Sequence, residues 1–186
     1  MSSRNGTKVI TKEVRLSYLH VFAPYASQPG QEAKYSACLM WPKDDEEMNT
    51  LVREATQVAV EEGTRTKWGG KTPKSIHLPM RDGDEKDLDT NPEYEGMYFL
   101  NCSSKRQPGL IDRHKMEIFD EADLKSGDYA IASINFYPYA ASGNNGVGVG
   151  LNHLMKKRDG EALGGGFTKA ENDFAGEFDD DDDMLD

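Results

Sequence analysis

The chain has 186 residues, of which 37% are hydrophobic and 30% charged, with 18 glycines, 8 prolines, 2 cysteines and a formal charge of -11. That length fits one compact domain with extensions, and a core that needs neither metal nor disulfide. No run of eighteen apolar residues occurs, and no apolar stretch follows the basic residues of the N-terminus. Neither a membrane span nor a secretory leader is expected, and the reading is a cytoplasmic protein.

Residues 1–7 read as a loose end. The stretch 7–19 alternates Val9, Thr11, Glu13 and Arg15 with other residues and predicts one or two strands. Residues 20–31 contain Pro24, Pro29 and Gly30 and read as a loop. KYSACLMW (34–41) is a strand stopped by Pro42. A helix is predicted over about 44–62. Asp44 stands as its cap with Glu47 three residues on, Met48, Leu51, Val52, Ala55 and Ala59 form an apolar stripe, and Gly63 is placed to end it.

Residues 64–81 are polar and basic, and 82–95 acidic and turn-rich. Residues 98–101 make a short strand, and 105–115 read as a connection. GDYAIASINFYPY (127–139) alternates cleanly and is a strand. Residues 140–150 read as a glycine- and asparagine-rich turn, with a strand or short turn resuming at 150–155. Five to seven short strands with one helix leave three options open on pattern alone: an OB-type barrel, another small barrel or sandwich, and an α+β fold. With no export signal, Cys38 and Cys102 are expected to be free, buried thiols.

The charge is unevenly spread. Residues 171–186 hold nine acids and no Lys or Arg, whereas the preceding 170 residues hold 22 bases and 24 acids. The acidity therefore belongs to the C-terminal segment, and the body is close to neutral. Within the body, residues 64–81 carry five bases and no acid, with Trp68 among Lys67, Lys71 and Lys74. An indole amid lysines can stack on a base while the ammoniums meet phosphates; it can equally be a core tryptophan under a solvated loop. Further clusters are Lys105 and Arg106, with Arg113 beyond, and Lys156, Lys157 and Arg158. In the 127–139 strand, alternation puts Asn135, Tyr137 and Tyr139 on one face, so the tyrosines either stack on bases or pack under a loop.

The terminal run Asp179, Asp180, Asp181, Asp182 and Asp183, with Phe174 and Phe178 before it, reads as a disordered acidic tail over 169–186. Tethered to a cationic groove, it competes with a nucleic acid there and is released toward protein partners when the groove fills. Simple solubilisation is the plainer alternative. No HExxH, CxxC, GxSxG or P-loop pattern is present, and the four histidines lack ligand spacing. No catalytic residue, metal or cofactor is expected. Asp82, Asp84, Asp87 and Asp89 read as a solvated acidic loop. Gly146, Gly148 and Gly150 read as turn or bulge positions of close backbone approach.

Six segments together resemble a known family: RLSYLHVFAP (15–24), KYSACLMWPK (34–43), RDGDEKD (81–87), YEGMYFLNCSSKRQPGLID (94–112), SGDYAIASINFYPY (126–139) and GVGVGLNHLMKKRDGEALGGG (146–166). They resemble single-stranded-DNA-binding proteins of tailed bacteriophages, long catalogued only as a domain of unknown function and distantly similar to the podophage replication single-stranded-DNA-binding protein. The resemblance covers about 7–168. It implies a mostly β protein: an OB-fold barrel over 8–168 with an added helix, then the disordered acidic tail. It implies sequence-independent binding and protection of single-stranded DNA in phage replication or recombination, in the host cytoplasm. Replication proteins of phage or host would be recruited through the tail, with weaker duplex binding and a homodimer left open. By motif it points to Lys34 and Tyr35, Lys105 and Arg106, and Tyr137 and Tyr139, then to Lys156, Arg158, Lys67 and Trp68. The competing readings are an acidic-tailed adaptor or DNA mimic, and a metal-dependent nuclease.

Overall fold

The computed structural model describes residues 2–163. The acidic segment with Phe174, Phe178 and Asp179 to Asp183 lies outside the described residues. Nine strands and one long helix follow in chain order: β1 (Ser3–Asn5), β2 (Lys8–Ile10), β3 (Val14–Tyr25), β4 (Lys34–Pro42), α1 (Glu46–Thr66), β5 (Arg81–Asp82), β6 (Met97–Ser104), β7 (Gly109–Ile111), β8 (Tyr129–Ala141) and β9 (Asn144–Arg158). The protein is thus mostly β with one added helix.

All nine strands belong to one sheet that curls on itself. β3 pairs with β4, β4 with β6, and β9 with β8. Two thin links join the rest: a single parallel partner pair, Ser103 and Gly150, connects β6 to β9, and two pairs connect β3 to β8. The circuit returns to its start, but it is not a clear barrel closed along its length.

Several elements differ from the sequence reading. Ser3–Asn5, in the stretch read as a loose end, is an edge strand on β2. β3 continues through Pro24 to Tyr25, shortening the expected loop. The segment 144–158 is one strand, not a turn, because the hairpin closes over only two residues, Ser142 and Gly143, both with positive φ. That is the turn geometry whose twist suits a two-residue hairpin. The helix cap is Asp45, not Asp44: its side chain accepts from the Met48 amide at 3.1 Å. Nor does Gly63 end the helix. It lies inside it, where a side chain would meet the Trp68 ring and Pro138 within 2.8 Å.

The main core joins Leu16, Leu39, Trp41, Leu100, Ile134, Phe136, Val149 and Leu154 to Met48, Val52, Ala55 and Ala59 of α1. The small residues of the helix let it approach β8 closely. Trp41 donates to Asn49 at 2.8 Å, and Asn49 donates to the Lys43 carbonyl at 2.8 Å, so this buried polar pair is satisfied. A second cluster, Cys38, Met40, Tyr94 and Phe99, covers part of the outer side of β4 and β6. Both cysteines are buried and free; burial pushes the Cys38 thiol up to about 11.

Candidate nucleic-acid interface

The register of the strands lines up one lateral row of partners on the outer face of the sheet. His20 of β3 stands opposite Ser36 of β4, Ser36 opposite Ser103 of β6, and Ser103 beside Gly150 of β9. Gly150 in turn stands opposite Asn135 of β8, and Asn135 opposite Lys8 of β2. Register partners project to the same side. The neighbours one residue along the strands, Ala37, Cys102, Leu151, Ile134 and Val9, are buried in the main core. The row is half-exposed, with Lys8 exposed. It is a shallow track of small and polar groups across six strands.

Tyr137 and Tyr139 flank this track, as sequence alternation predicts. Tyr137 stands opposite Gly148 and Tyr139 opposite Gly146. A Cβ on Gly148 would come within 2.6 Å of the Tyr137 ring, and one on Gly146 within 2.6 Å of the Tyr139 hydroxyl. The rings therefore lie over the glycine backbone of β9, and Tyr137 keeps 41% of its surface exposed. The glycine spacing is a cradle for two rings; the sequence reading recognised close approach but placed it in a turn. Burial, and the neighbouring Tyr139, push the Tyr137 phenol above its ordinary range, so it is a neutral ring.

At the other side of β9, the segment after β6 closes a groove of about 560 Å³. Lys8, Ser104, Arg106, Gln107, Asn135, Asn152 and His153 line it, with no carboxylate. His153 Nδ1 accepts from the Gly109 amide at 3.2 Å, which assigns the proton of the neutral ring to Nε2. Among the described residues the groove is thus lined by cations, neutral polar groups and the apolar Pro108 and Leu151, without an anion, which suits an anionic chain. Lys105 is exposed beside it, with Glu32 at 3.8 Å.

The basic segment after α1 runs along the start of β9, bridging at His77 and Gly146. This puts exposed Lys67, Lys71 and Lys74 on the segment that borders Tyr139. Trp68 is not a free ring: its indole is half-buried and donates to the Tyr139 carbonyl at 3.1 Å, anchoring the segment. Lys34 begins β4 opposite Tyr25 and shares the face of Ser36, whereas Tyr35 falls on the alternate face, with Ala37 and Leu39.

Other sequence candidates are placed elsewhere. Lys156 is held between the buried Asp128 and Asp159, at 3.5 and 2.6 Å. Arg158 is paired to Glu13 at 2.8 Å and lies 3.8 Å from the Tyr129 ring centroid. Arg113 occupies an exposed turn beyond β7. The ion pairs among the described residues include none of Lys8, Lys34, Lys67, Lys71, Lys74 or Arg106. Lys8, Ser36 and Ser103 were missed from sequence, because only register brings them into one line; alternation had put Asn135 on the face of the tyrosines. No group of three or more His, Cys, Asp and Glu among the described residues is placed to hold a metal ion. No helix among them is long and apolar enough to cross a membrane.

Residues 7–185 match the family described as Enterobacter phage Enc34, ssDNA-binding protein. Protein p50 of Acyrthosiphon pisum secondary endosymbiont phage 1 is 32% identical over 185 residues, 93% of each chain. Among solved structures, the single-stranded DNA-binding protein from bacteriophage Enc34 in complex with ssDNA superposes with a TM-score of 0.74 at 24% identity, covering 85% of this chain and 90% of that one. The single-stranded DNA binding protein encoded by bacteriophage T7 gives 0.56 at 14% identity, covering 87% and 97%.

Proposed function

Since the chain belongs to the family of the Enterobacter phage Enc34 ssDNA-binding protein, we propose that the outer row and its flanking rings hold single-stranded DNA without regard to sequence. The setting is phage DNA replication or recombination, and the role is that of a binder, not an enzyme. The observation that carries the assignment of this face is the unbroken line from His20 to Lys8 on the outer side of the sheet, bordered by Tyr137 and by cations that take part in none of the ion pairs among the described residues. Small residues let a backbone pass, rings stack on any base, and lysines neutralise phosphates. None of these contacts reads a base edge, which accounts for sequence tolerance.

We read the strand circuit as an OB-type barrel with thin closing links. A strand of DNA crossing β9, β6 and β4 suits the way such barrels present one face to nucleic acid. The acidic segment 171–186 is the natural competitor: a tethered polyanion has a high effective concentration at a cationic groove. On this reading it is displaced by DNA and then free to recruit replication proteins in the host cytoplasm. Duplex DNA would bind more weakly, since stacking needs unpaired bases.

The test is an oligothymidylate titration of the full chain and of a chain ending at residue 170, each at low and high salt. Affinity should fall steeply with salt and rise on truncation. An affinity indifferent to salt would sink the proposal.

A further inference from the structure

β3 does not cross the outer face as a regular strand. Its register slips between Ser17 and His20, and Tyr18 at the slip has φ +45°. Left-handed backbone is unusual for a ring-bearing residue and costs on the order of 1–3 kcal/mol. The surroundings impose it. Tyr94 donates its hydroxyl to Ser17 at 3.1 Å, the Leu19 amide donates to Ser126 at 3.1 Å, and the Tyr18 hydroxyl donates to Asn91 at 3.2 Å. The strain gains no burial for the ring, which remains 51% exposed. Lys86 backs it, with its ammonium 5.3 Å from the ring centroid and also over Tyr94 and Phe99.

The slip also brings His20 opposite Ser36, at the end of the row. There the imidazole stacks on Tyr25 with centroids 4.2 Å apart and planes within 9°. Burial holds His20 below the ordinary imidazole value, so a neutral ring stacks. Tyr25 is itself 51% exposed. Two supported rings thus stand at the β3 end of the track, opposite the Tyr137 end. An exposed tyrosine alone is ordinary surface; one held in a strained conformation, hydrogen-bonded at its tip and backed by a cation, is pre-organised.

We propose that Tyr18 and Tyr25 form a second base-stacking station, so that one DNA strand runs from Tyr137 across Gly150, Ser103 and Ser36 to β3. This rests on the reading of the outer face as the single-strand site. The path takes four inter-strand steps, roughly 19 Å at ~4.8 Å each. A stacked strand covers that with about six nucleotides. Oligomers too short to reach both stations gain from only one.

The test uses the full chain, wild type and with Tyr18→Asn, Tyr18→Phe or Tyr25→Ala, titrated with oligothymidylates of about three and about twelve nucleotides. Asn tolerates left-handed backbone, so Tyr18→Asn should keep or raise the thermal midpoint. It should lose roughly 5- to 100-fold affinity for the long oligomer, and its gain in affinity with length should shrink. Tyr18→Phe should bind nearly as wild type. Tyr25→Ala, on unstrained backbone, should lose affinity in the same direction and stands in if Tyr18→Asn does not fold. Wild-type affinity for the long oligomer in both Tyr18→Asn and Tyr25→Ala would overturn the second station. A wild-type chain that ignored both oligomers would instead take down the single-strand reading beneath it.

Discussion

The two ends of the β8–β9 ribbon are built from the same kinds of residue and do opposite things. At the hairpin end, Tyr137 and Tyr139 lie over glycines, and the neighbouring Lys8, Lys71, Lys74 and Arg106 take part in none of the ion pairs among the described residues. At the far end, Arg15 and Arg158 both lie against the Tyr129 ring, Arg158 is tied to Glu13, and Lys156 to Asp128 and Asp159. One end leaves its cations out of the ion pairs among the described residues; the other spends them on the fold. A basic triplet in the sequence is therefore no guide to surface potential until its carboxylate partners are known.

Asp128 tests the structural end, with the largest expected effect. Its side chain is fully buried and accepts from the Lys125 amide and ammonium at 3.0 and 2.9 Å and from the Gly160 amide at 3.1 Å, with Lys156 at 3.5 Å. Burial alone would push the carboxyl up, but these donors and cations hold it below its ordinary value. Asp128→Ala strands the Lys125 and Gly160 amides and leaves Lys125 and Lys156 with Asp159 alone as a carboxylate partner, and should cost about 3 kcal/mol by denaturant titration. A carboxyl lowered in the folded state stabilises above its unfolded pKa of about 3.9, and that contribution fades as pH falls through the lower folded value. Asp128→Asn should flatten that acid limb of the stability profile. Neither variant should weaken DNA binding at a temperature where it remains folded.

Tyr137 and Gly150 test the open end. Tyr137→Ala should cost roughly 1–3 kcal/mol of single-strand affinity, with little change in melting, because the ring is part-exposed and rests on glycine. Gly150 is the converse case. Nothing lies closer than 3.7 Å to a Cβ there, so a side chain fits the fold but stands up in the row beside Ser103. Gly150→Val should melt normally and bind poorly, by oligothymidylate titration. Normal binding by this variant would move the DNA path off the β6–β9 crossing.

These contrasts mark how far the sequence could be read. Alternation in 127–139 placed Tyr137 and Tyr139 on one face, and the Met48–Val52–Ala55–Ala59 stripe located the helix, because both signals are local. The glycine spacing at 146–150 was visible, but its meaning lay across the hairpin, in rings seven to eleven residues upstream. The row from His20 to Lys8 was not legible as a line, although alternation had put Asn135 on the face of the tyrosines: it joins strands separated by most of the chain, through a slip at Tyr18 that no local pattern announces. Lys156 and Arg158 were legible as charges but not as pairs, since Asp128 and Glu13 meet them only in the folded chain.

The smallest expected effect isolates local contact from overall charge. Lys8→Ala, Arg106→Ala and Arg158→Ala each remove one positive charge from the same molecule. If the general field of the protein governed binding, all three would flatten the salt dependence equally. If phosphates sit on the row, Lys8→Ala and Arg106→Ala should each lower the slope of log affinity against log salt by about 1. Arg158→Ala should leave that slope unchanged, because its guanidinium already serves Glu13 through two donors. The measurement is a salt series of oligothymidylate titrations on the three variants side by side. Equal slopes for Lys8→Ala and Arg158→Ala would mean that the two ends of the ribbon do not differ toward DNA in the way their ion pairing does.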